Sequence, residues 1–218
     1  SCLFSYPYQV CPKCLIKIKK KPMLGFWISK LSKLKVSKYI INTHYLHEQV
    51  NSYVKKYYKK YNIFISYEKN LLGTAGTLIN YFKKNKIETT LLIHVDNYCL
   101  ENINNLIKAH KNRPKDCLMT MMIFKTKKPN LCGIVKLDKK NVVKEFYEKQ
   151  TGKNGNLANC AVYILSPECI RIILKKYKKF NDFSIEIIPK FINKIFTYQT
   201  DRLFKDMGTL KILKKLNS

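Results

Sequence analysis

The chain has 218 residues, of which 46% are hydrophobic, enough for one large domain or two small ones with a buried core. No apolar run approaches the roughly 18 residues that a membrane-spanning helix needs. The first residues also lack the basic-then-apolar order of a signal peptide, so we expect a cytoplasmic protein without membrane insertion.

The formal net charge of +28 suggests a polyanionic partner, but the kind of basic residue argues against one. Only Arg113, Arg171 and Arg202 are arginine, whereas recognition of bases and phosphates favours the arginine fork over lysine. Abundant Lys, Ile, Asn and Tyr are typical of AT-rich coding sequence. A basic nucleic-acid-binding protein is therefore a distant alternative, although the surface should attract phosphorylated substrates.

The eight cysteines do not predict a disulfide framework, because the chain is long and carries no secretion signal. Cys11 and Cys14 have CxxC spacing, yet no second CxxC or histidine pair supports a zinc site. His44 and His47 are similarly close in sequence. We expect structural or surface roles for all four, with metal or redox use as the minor alternative.

Strands and helices alternate in the first half of the chain. Strands are predicted over 15–18, 38–41, 63–67 and 89–95. Pro22 opens the first intervening helix, Asn42 and Thr43 offer side-chain caps for the second, and Gly76 begins the third. The apolar positions of these helices recur at helical spacing and comprise Leu24, Trp27, Ile28, Leu31 and Leu34, then Leu46, Val50, Tyr53, Val54 and Tyr57, then Leu78, Ile79 and Phe82. This alternation predicts an α/β fold with a Rossmann-like, mostly parallel sheet and helices on both faces.

The second half is richer in strands and predicts a smaller β-rich portion. A helix over 102–110 and a strand over 117–124 precede a hairpin with strands 133–137 and 142–148. A strand over 159–165, a helix opened by Pro167, a helix over 184–192, short strands over 195–200 and 203–205, and a helix over 209–216 follow. We find no internal repeat and no linker, so the sequence predicts a single domain over 1–218.

Charged and glycine residues follow several predicted strands, at the edge where open α/β sheets bind ligands. They are Gly73 and Gly76 beyond the third strand, Asp96 beyond the fourth, Glu148 with Lys149, and Asp206. Each alone has a simpler explanation as a turn, a solvated charge or a helix cap. Together they favour a phosphate reaction, because Mg²⁺ is commonly held by one or two carboxylates while phosphates and waters complete its octahedron. A helix beginning at Gly76 would direct its positive end toward an anion.

Several motifs in order carry a resemblance to a known family. They are Pro12-Lys13-Cys14-Leu15, Leu72-Gly73-Thr74-Ala75-Gly76, Val95-Asp96, Glu148-Lys149, Asn159 with Tyr163, and Asp206-Met207-Gly208-Thr209. In this order they resemble the sugar-phosphate nucleotidyltransferases, and most of all the mannose-1-phosphate and heptose-1-phosphate guanylyltransferases. The resemblance covers the chain from about Pro12 onward and implies a GT-A-like, Rossmann-like fold with a sugar-binding portion.

The resemblance also implies a reaction and a role for each motif. A nucleoside monophosphate, most simply GMP, would pass from a nucleoside triphosphate to a mannose- or heptose-type sugar 1-phosphate, releasing pyrophosphate for nucleotide-sugar and surface-polysaccharide biosynthesis. Lys13, Asp96 and Asp206 would be catalytic, with the two aspartates holding Mg²⁺. The nucleotide would contact Leu72, Gly73, Thr74, Ala75 and Gly76, and the sugar phosphate would contact Gly133, Glu148, Lys149 and Asn159. A homo-oligomer would be compatible with this family.

One motif of the family is missing. Its members carry a first strand and a GxGxR loop just before the Pro-Lys pair, but residues 1–11 contain neither glycine nor arginine, and Gly25 is the first glycine. Gln150 and Cys160 are smaller departures, where the family often has proline and glycine. Truncation, a reading-frame scar and true divergence all remain open as explanations. Because the loop would grip the triphosphate, we predict weak or no activity, and a catalytically degenerate relative that binds nucleotide or sugar phosphate is the alternative.

Overall fold

The structure is a computed structural model that describes residues 11–150 and 154–207. In chain order its regular elements are β1 (Lys17–Ile18), β2 (Lys21–Pro22), α1 (Met23–Leu31), β3 (Tyr39–Thr43), α2 (His47–Tyr57), β4 (Ile63–Tyr67), α3 (Gly73–Phe82), β5 (Thr90–Ile93), β6 (Asn97–Cys99), α4 (Ile103–Lys111), β7 (Met119–Lys125), β8 (Gly133–Leu137), β9 (Val143–Glu148), β10 (Leu157–Leu165), α5 (Pro167–Lys176), β11 (Ile195–Gln199) and β12 (Phe204–Asp206). Short 3₁₀ turns cover Lys13–Leu15, Pro129–Leu131 and Ile188–Phe191, and a π-helical turn covers Phe183–Ile187.

The described chain divides into two compact units built from interleaved segments. The first contains 11–71, 95–98 and 205–207, and the second contains 72–94 and 99–204 apart from 151–153. No single cut in the sequence separates them. The single domain over 1–218 therefore stays a prediction.

The first unit is built on a small α/β core. β3 and β4 pair in parallel, with Ile41 opposite Ile65. Leu24 and Ile28 from α1 pack against Val50 and Val54 from α2, as the helical spacing predicts. β1 and β2 form a short antiparallel pair immediately before α1.

The start of α2 differs from the prediction. Asn42 and Thr43 do not cap this helix, because they lie in β3 and pair with β4. The helix instead begins after Leu46, which has a left-handed backbone with φ 52° and makes no side-chain cap. Strand pairing outweighs the capping preference of Asn42 and Thr43 here.

The second unit is organised around a six-stranded sheet. Five of its strands are hydrogen-bonded in the order β11-β7-β10-β8-β9. The sixth strand, β5, also pairs with β10. β11 and β7 pair in parallel, whereas β10 is antiparallel to β5, β7 and β8. The predicted α/β class is confirmed, and the sheet is mixed rather than mostly parallel because β10 inserts between β5 and β7 and runs antiparallel to both.

Several predicted elements change at their ends. The predicted strand over 15–18 is a 3₁₀ turn followed by the two-residue β1, and the predicted strand over 89–95 ends at Ile93. The predicted helix over 184–192 is a π-helical turn followed by a 3₁₀ turn, because Pro189 supplies no backbone N–H for a continuous α-helix. The helix predicted over 209–216 lies outside the described residues. In the part of the chain that is described, no helix has the length and apolar character to cross a bilayer.

Candidate active site

The segments that carry Asp96 and Asp206 lie side by side in the first unit. Asp96 follows β5 by three residues and is half-buried in the turn before β6. β6 pairs with β12, and the backbone N–H of Met207 donates to the carbonyl oxygen of Asp96 at 3.0 Å. Asp206 is the residue before Met207. Two aspartates from distant parts of the chain are therefore neighbours along one strand pair.

Lys13 belongs to the same unit. It lies in the 3₁₀ turn Lys13–Leu15 and is half-buried. Leu15 from this turn and Val95, the residue before Asp96, pack against the same cluster that contains Leu24 and Ile28. A shared core thus holds the segment of Lys13 and the segment of Asp96.

Magnesium binding by Asp96 and Asp206 remains a prediction. Two carboxylates suit an ion that keeps waters and takes phosphate oxygens as further ligands. Among the described residues there is no cluster of three or more His, Cys, Asp and Glu side chains that could bind a metal by protein ligands alone. The CxxC pair agrees with this, because burial raises the pKa of the Cys14 thiol to about 12, the reverse of an activated redox thiol.

The glycine-containing loop begins α3, and the helix starts at Gly73 rather than at Gly76. The amides of Ala75 and Gly76 donate to the carbonyl oxygen of Asn181 at 2.8 and 3.4 Å, so the helix start faces a carbonyl of the chain and not the open anion site expected from Gly76. Gly73 has φ +78°, and a Cβ there would lie 2.4 Å from that carbonyl oxygen. The glycine allows close approach of the segment around Asn181. A contact of residues 72–76 with the nucleotide remains a prediction.

The segment from Asn181 to Ser184 was not identified from the sequence. The amide of Phe183 donates to Thr74 Oγ1 at 2.8 Å, which fixes this segment to the loop. The hydroxyls of Ser184 and Tyr163 are hydrogen-bonded, and the Asp182 carboxylate acts electrostatically on Glu148. This segment therefore joins the glycine-containing loop to the predicted sugar-phosphate residues. The sequence signal, an Asn-Asp pair before a helical run, is that of an ordinary helix cap.

Gly133, Glu148 and Lys149 lie together at the end of the β8–β9 hairpin. Gly133 pairs with Glu148, and the amide of Lys149 donates to the Cys132 carbonyl oxygen at 3.1 Å. A Cβ at Gly133 would lie 2.5 Å from Glu148 Oε2. The Glu148 carboxylate can therefore occupy this position because residue 133 has no side chain. Lys149 has φ 49°, and its Nζ is 3.8 Å from Glu148 Oε1.

Glu148 and Lys149 offer different chemistry to a ligand. The Glu148 side chain is 23% exposed, and burial raises the pKa of its carboxyl despite the opposing effect of Lys149. The Lys149 side chain is 68% exposed. A carboxylate of this kind accepts hydrogen bonds from hydroxyl groups, and an exposed ammonium attracts phosphate.

Asn159 is held in place by an irregularity in β10. The pairing of β10 with β7 shifts register between Asn159 and Tyr163, and Ala161 within the bulge has φ 50°. Asn159 Nδ2 donates to the Tyr163 hydroxyl at 2.6 Å, and Asn159 Oδ1 accepts from the Ala161 amide at 2.9 Å. A side-chain amide has two donor hydrogens and two acceptor lone pairs, and these two bonds to described residues use one of each.

Comparisons with known proteins agree with these features. The family model described as Nucleotidyl transferase matches residues 6–218. Mannose-1-phosphate guanyltransferase 2 from Candida glabrata is 29% identical over 208 residues, which are 92% of this chain and 56% of that protein. D-glycero-alpha-D-manno-heptose 1-phosphate guanylyltransferase from Aneurinibacillus thermoaerophilus is 28% identical over 90% of this chain and 84% of its own. The chain spans about half the length of most curated relatives it matches.

Solved structures share the fold. A crystal structure of HddC from Yersinia pseudotuberculosis complexed with GMP-PN has a TM-score of 0.77 at 23% identity, covering 95% of this chain and 89% of that one. A putative glucose-1-phosphate thymidylyltransferase from Bacillus anthracis has a TM-score of 0.84 at 15% identity, over 98% of this chain and 88% of that one. With the family match over nearly the whole sequence, the resemblance drawn from the motifs is confirmed, and the chain belongs to the nucleotidyl transferase family.

Proposed function

We propose that this chain binds a nucleoside triphosphate and a sugar 1-phosphate and transfers the nucleoside monophosphate to the sugar phosphate. GTP and a mannose- or heptose-type sugar 1-phosphate are the proposed substrates, because the similar proteins are named for those sugars and for guanylyl transfer. The product would be a nucleotide sugar for polysaccharide biosynthesis.

The single observation that carries this proposal is the bond from the Met207 amide to the Asp96 carbonyl oxygen. It aligns the backbone of two aspartate-bearing segments that are far apart in the sequence. A reaction between two phosphates needs charge neutralisation at one point, and paired carboxylates that recruit a divalent cation provide it. Magnesium bound there would neutralise charge on the triphosphate oxygens.

In the proposed reaction a phosphate oxygen of the sugar 1-phosphate attacks the α-phosphorus of the nucleotide. A new P–O bond forms as the bond to the pyrophosphate leaving group breaks, and no covalent enzyme intermediate is needed. The Lys13 ammonium would neutralise charge on the phosphoryl oxygens. Holding the two phosphates in line is worth about 7–11 kcal/mol of the barrier, so the protein acts mainly by position and charge.

On the sugar side, Lys149 would bind the phosphate, and Glu148 and Asn159 would hydrogen-bond hydroxyl groups. Gly133 would keep Glu148 in place. The loop of residues 72–76 would contact the nucleotide base. The contacts described above for Gly133, Glu148 and Asn159, and the exposed ammonium of Lys149, support the roles on the sugar side.

A catalytically degenerate relative is the second candidate. One similar protein, 30% identical over 75% of this chain and 42% of its own, is named as the regulatory subunit alpha of mannose-1-phosphate guanylyltransferase from Dictyostelium discoideum. A chain of this second kind would bind nucleotide or nucleotide sugar without turnover.

Pyrophosphate release with GTP, mannose or heptose 1-phosphate, and Mg²⁺ tests the proposal. Measurable turnover that Asp96→Asn abolishes, and that Asp116→Asn at an exposed position does not affect, would support it. Isothermal titration showing nucleotide-sugar binding without turnover would favour the degenerate relative. If the protein shows no nucleotide binding and no turnover, both candidate functions are refuted. Salt-sensitive binding of nucleic acid would then support the distant alternative.

A further inference from the structure

Glu101 is a buried carboxylate outside the residues assigned above. It is 3% exposed and lies in the turn between β6 and α4. A buried carboxylate is costly unless its charge is compensated, so its partners show what it holds together. Its position in the second unit is defined by hydrogen bonds from two distant parts of the chain.

One carboxylate oxygen binds its own turn. Glu101 Oε1 accepts from the Asn102 amide at 2.8 Å and from Asn105 Nδ2 at 3.0 Å. The other oxygen reaches the link between β11 and β12, where Thr200 Oγ1 donates to Glu101 Oε2 at 2.5 Å. The Tyr198 side chain is a further partner.

These bonds keep the carboxylate ionised. Burial opposes its charge, yet the bonds from Thr200, Asn105 and the Asn102 amide outweigh burial and hold the pKa of Glu101 below its usual value. Charge-assisted hydrogen bonds of this kind are about twice as strong as neutral ones. Glu101 is therefore a firm anchor between its two segments.

Thr200 is itself held on both sides. It is 2% exposed, and its amide donates to the Ile123 carbonyl oxygen in β7 at 2.8 Å. Its hydroxyl oxygen also accepts from the Arg202 amide at 3.1 Å. The anchor thus connects the start of α4 to the sheet through the link that leads into β12.

Glu101 and Thr200 lie in the chain just after β6 and just before β12, the two strands that pair with each other. Next to Glu101 in the chain, the Leu100 amide donates to the Leu203 carbonyl oxygen at 3.0 Å. β6 and β12 continue from there, and the Met207 amide donates to the Asp96 carbonyl oxygen at the far end of the pair. A shift of Glu101 relative to Thr200 would therefore change how β6 pairs with β12 along both strands.

We propose that Glu101 is a positioning residue that aligns β6 with β12 and thereby places Asp96 and Asp206 for a divalent cation. This inference rests on the proposed function, since it assigns those aspartates as metal ligands. Outer-shell groups that hydrogen-bond metal ligands change metal affinity by about 10–100-fold when they are removed, and we expect Glu101, which would act through the strand pair, to reach only the lower end of that range.

Two pairs of variants test the role. Glu101→Gln keeps the shape but loses the charge, and Thr200→Val keeps the shape but loses the hydroxyl. Their matched controls are Glu88→Gln, which changes an exposed glutamate, and Thr200→Ser, which keeps the hydroxyl. Thr200→Val leaves Glu101 in place, so the test stands even if Glu101→Gln fails to fold.

The first measurement is hydrogen exchange of the Met207 amide followed by NMR, which needs no metal. We expect faster exchange in Glu101→Gln and Thr200→Val, and wild-type exchange in both controls. The second is the affinity for Mn²⁺ in the presence of GTP, which should fall about 10-fold in Glu101→Gln and Thr200→Val and stay unchanged in the two controls.

Wild-type Met207 exchange in Thr200→Val would overturn the positioning role. Faster exchange with unchanged Mn²⁺ affinity would overturn it as well, because the alignment would then be irrelevant to the metal. If the wild-type protein itself binds no Mn²⁺ while its Met207 amide is protected, the proposed function fails, and the inference fails with it.

Discussion

Replacing Gly73 with alanine should destabilise the protein for two separable reasons. The first is the backbone, because φ +78° costs an L-residue roughly 1–2 kcal/mol. The second is space, because the new Cβ would lie 2.4 Å from the Asn181 carbonyl oxygen, closer than real Cβ contacts. Asn181 would have to move away, which would weaken its bonds from Ala75 and Gly76 at about 0.5–1.5 kcal/mol each.

Gly155 provides a matched control. It also has positive φ, +96°, but an added Cβ would meet nothing within 4 Å. Gly155→Ala should therefore show only the backbone cost of about 1–2 kcal/mol, whereas Gly73→Ala should lose about 2–5 kcal/mol. For a chain of this size each kcal/mol lowers the melting temperature by about 2–4 °C.

Urea denaturation followed by circular dichroism would measure both free energies of unfolding under the same conditions. The difference between the two variants isolates the contact with Asn181. If the two variants lose the same stability, the close approach of Asn181 to Gly73 is not a constraint, and the structural role given to the glycine is wrong.

Other predictions concern pH, the sugar site and cysteine reactivity. Burial, with Arg113 nearby, lowers the pKa of His110 to about 4, so the folded state binds fewer protons than the unfolded state between pH 6.5 and 4. Stability should fall by up to about 3 kcal/mol as the pH drops through that window, and His110→Gln should lose this part of the dependence; denaturation curves with equal pH slopes for both proteins would contradict the assignment. Lys149→Met should raise KM for the sugar 1-phosphate about 10–100-fold and leave KM for GTP unchanged, whereas an equal rise for both substrates in steady-state kinetics would exclude a sugar-phosphate contact. Because burial raises its pKa to about 12, the Cys14 thiol should react with iodoacetamide only after unfolding; mass spectrometry showing rapid labelling of Cys14 in the native protein would disprove this.

Elements with a strong local signal were predicted well. β4 and β8 have the predicted bounds, α1 begins directly after Pro22, and α5 begins at Pro167 after the capping Ser166. The turn between β8 and β9 also follows from its residues, since Asp138 Oδ1 accepts from the amides of Lys140 and Val142, and Asn141 adopts φ 60°. At the helix starts and in this turn, the deciding interactions are made within a few residues of one another.

Features that depend on pairing between distant segments were not predictable in the same way. Asn42 and Thr43 have the side chains of a helix cap, but pairing with β4 draws them into a strand. The mixed sheet arises because β10 inserts between β5 and β7, a choice that no periodicity in β10 reveals. Local propensity is a weak guide wherever tertiary pairing competes with it.

The candidate site shows the same division at the level of single residues. Asp96 and Glu148 were predicted as site residues because they lie at or just beyond the ends of strands, where open α/β sheets bind ligands. The segment at Asn181 could not, because its contact with the loop joins Thr74 to Phe183 across 109 positions. Asp182 accepts from the Ile185 amide as any helix cap does, so its sequence is fully explained by that local role. A residue that serves both as a cap and as a neighbour of Glu148 shows only the cap in the sequence, and only the fold reveals the second role.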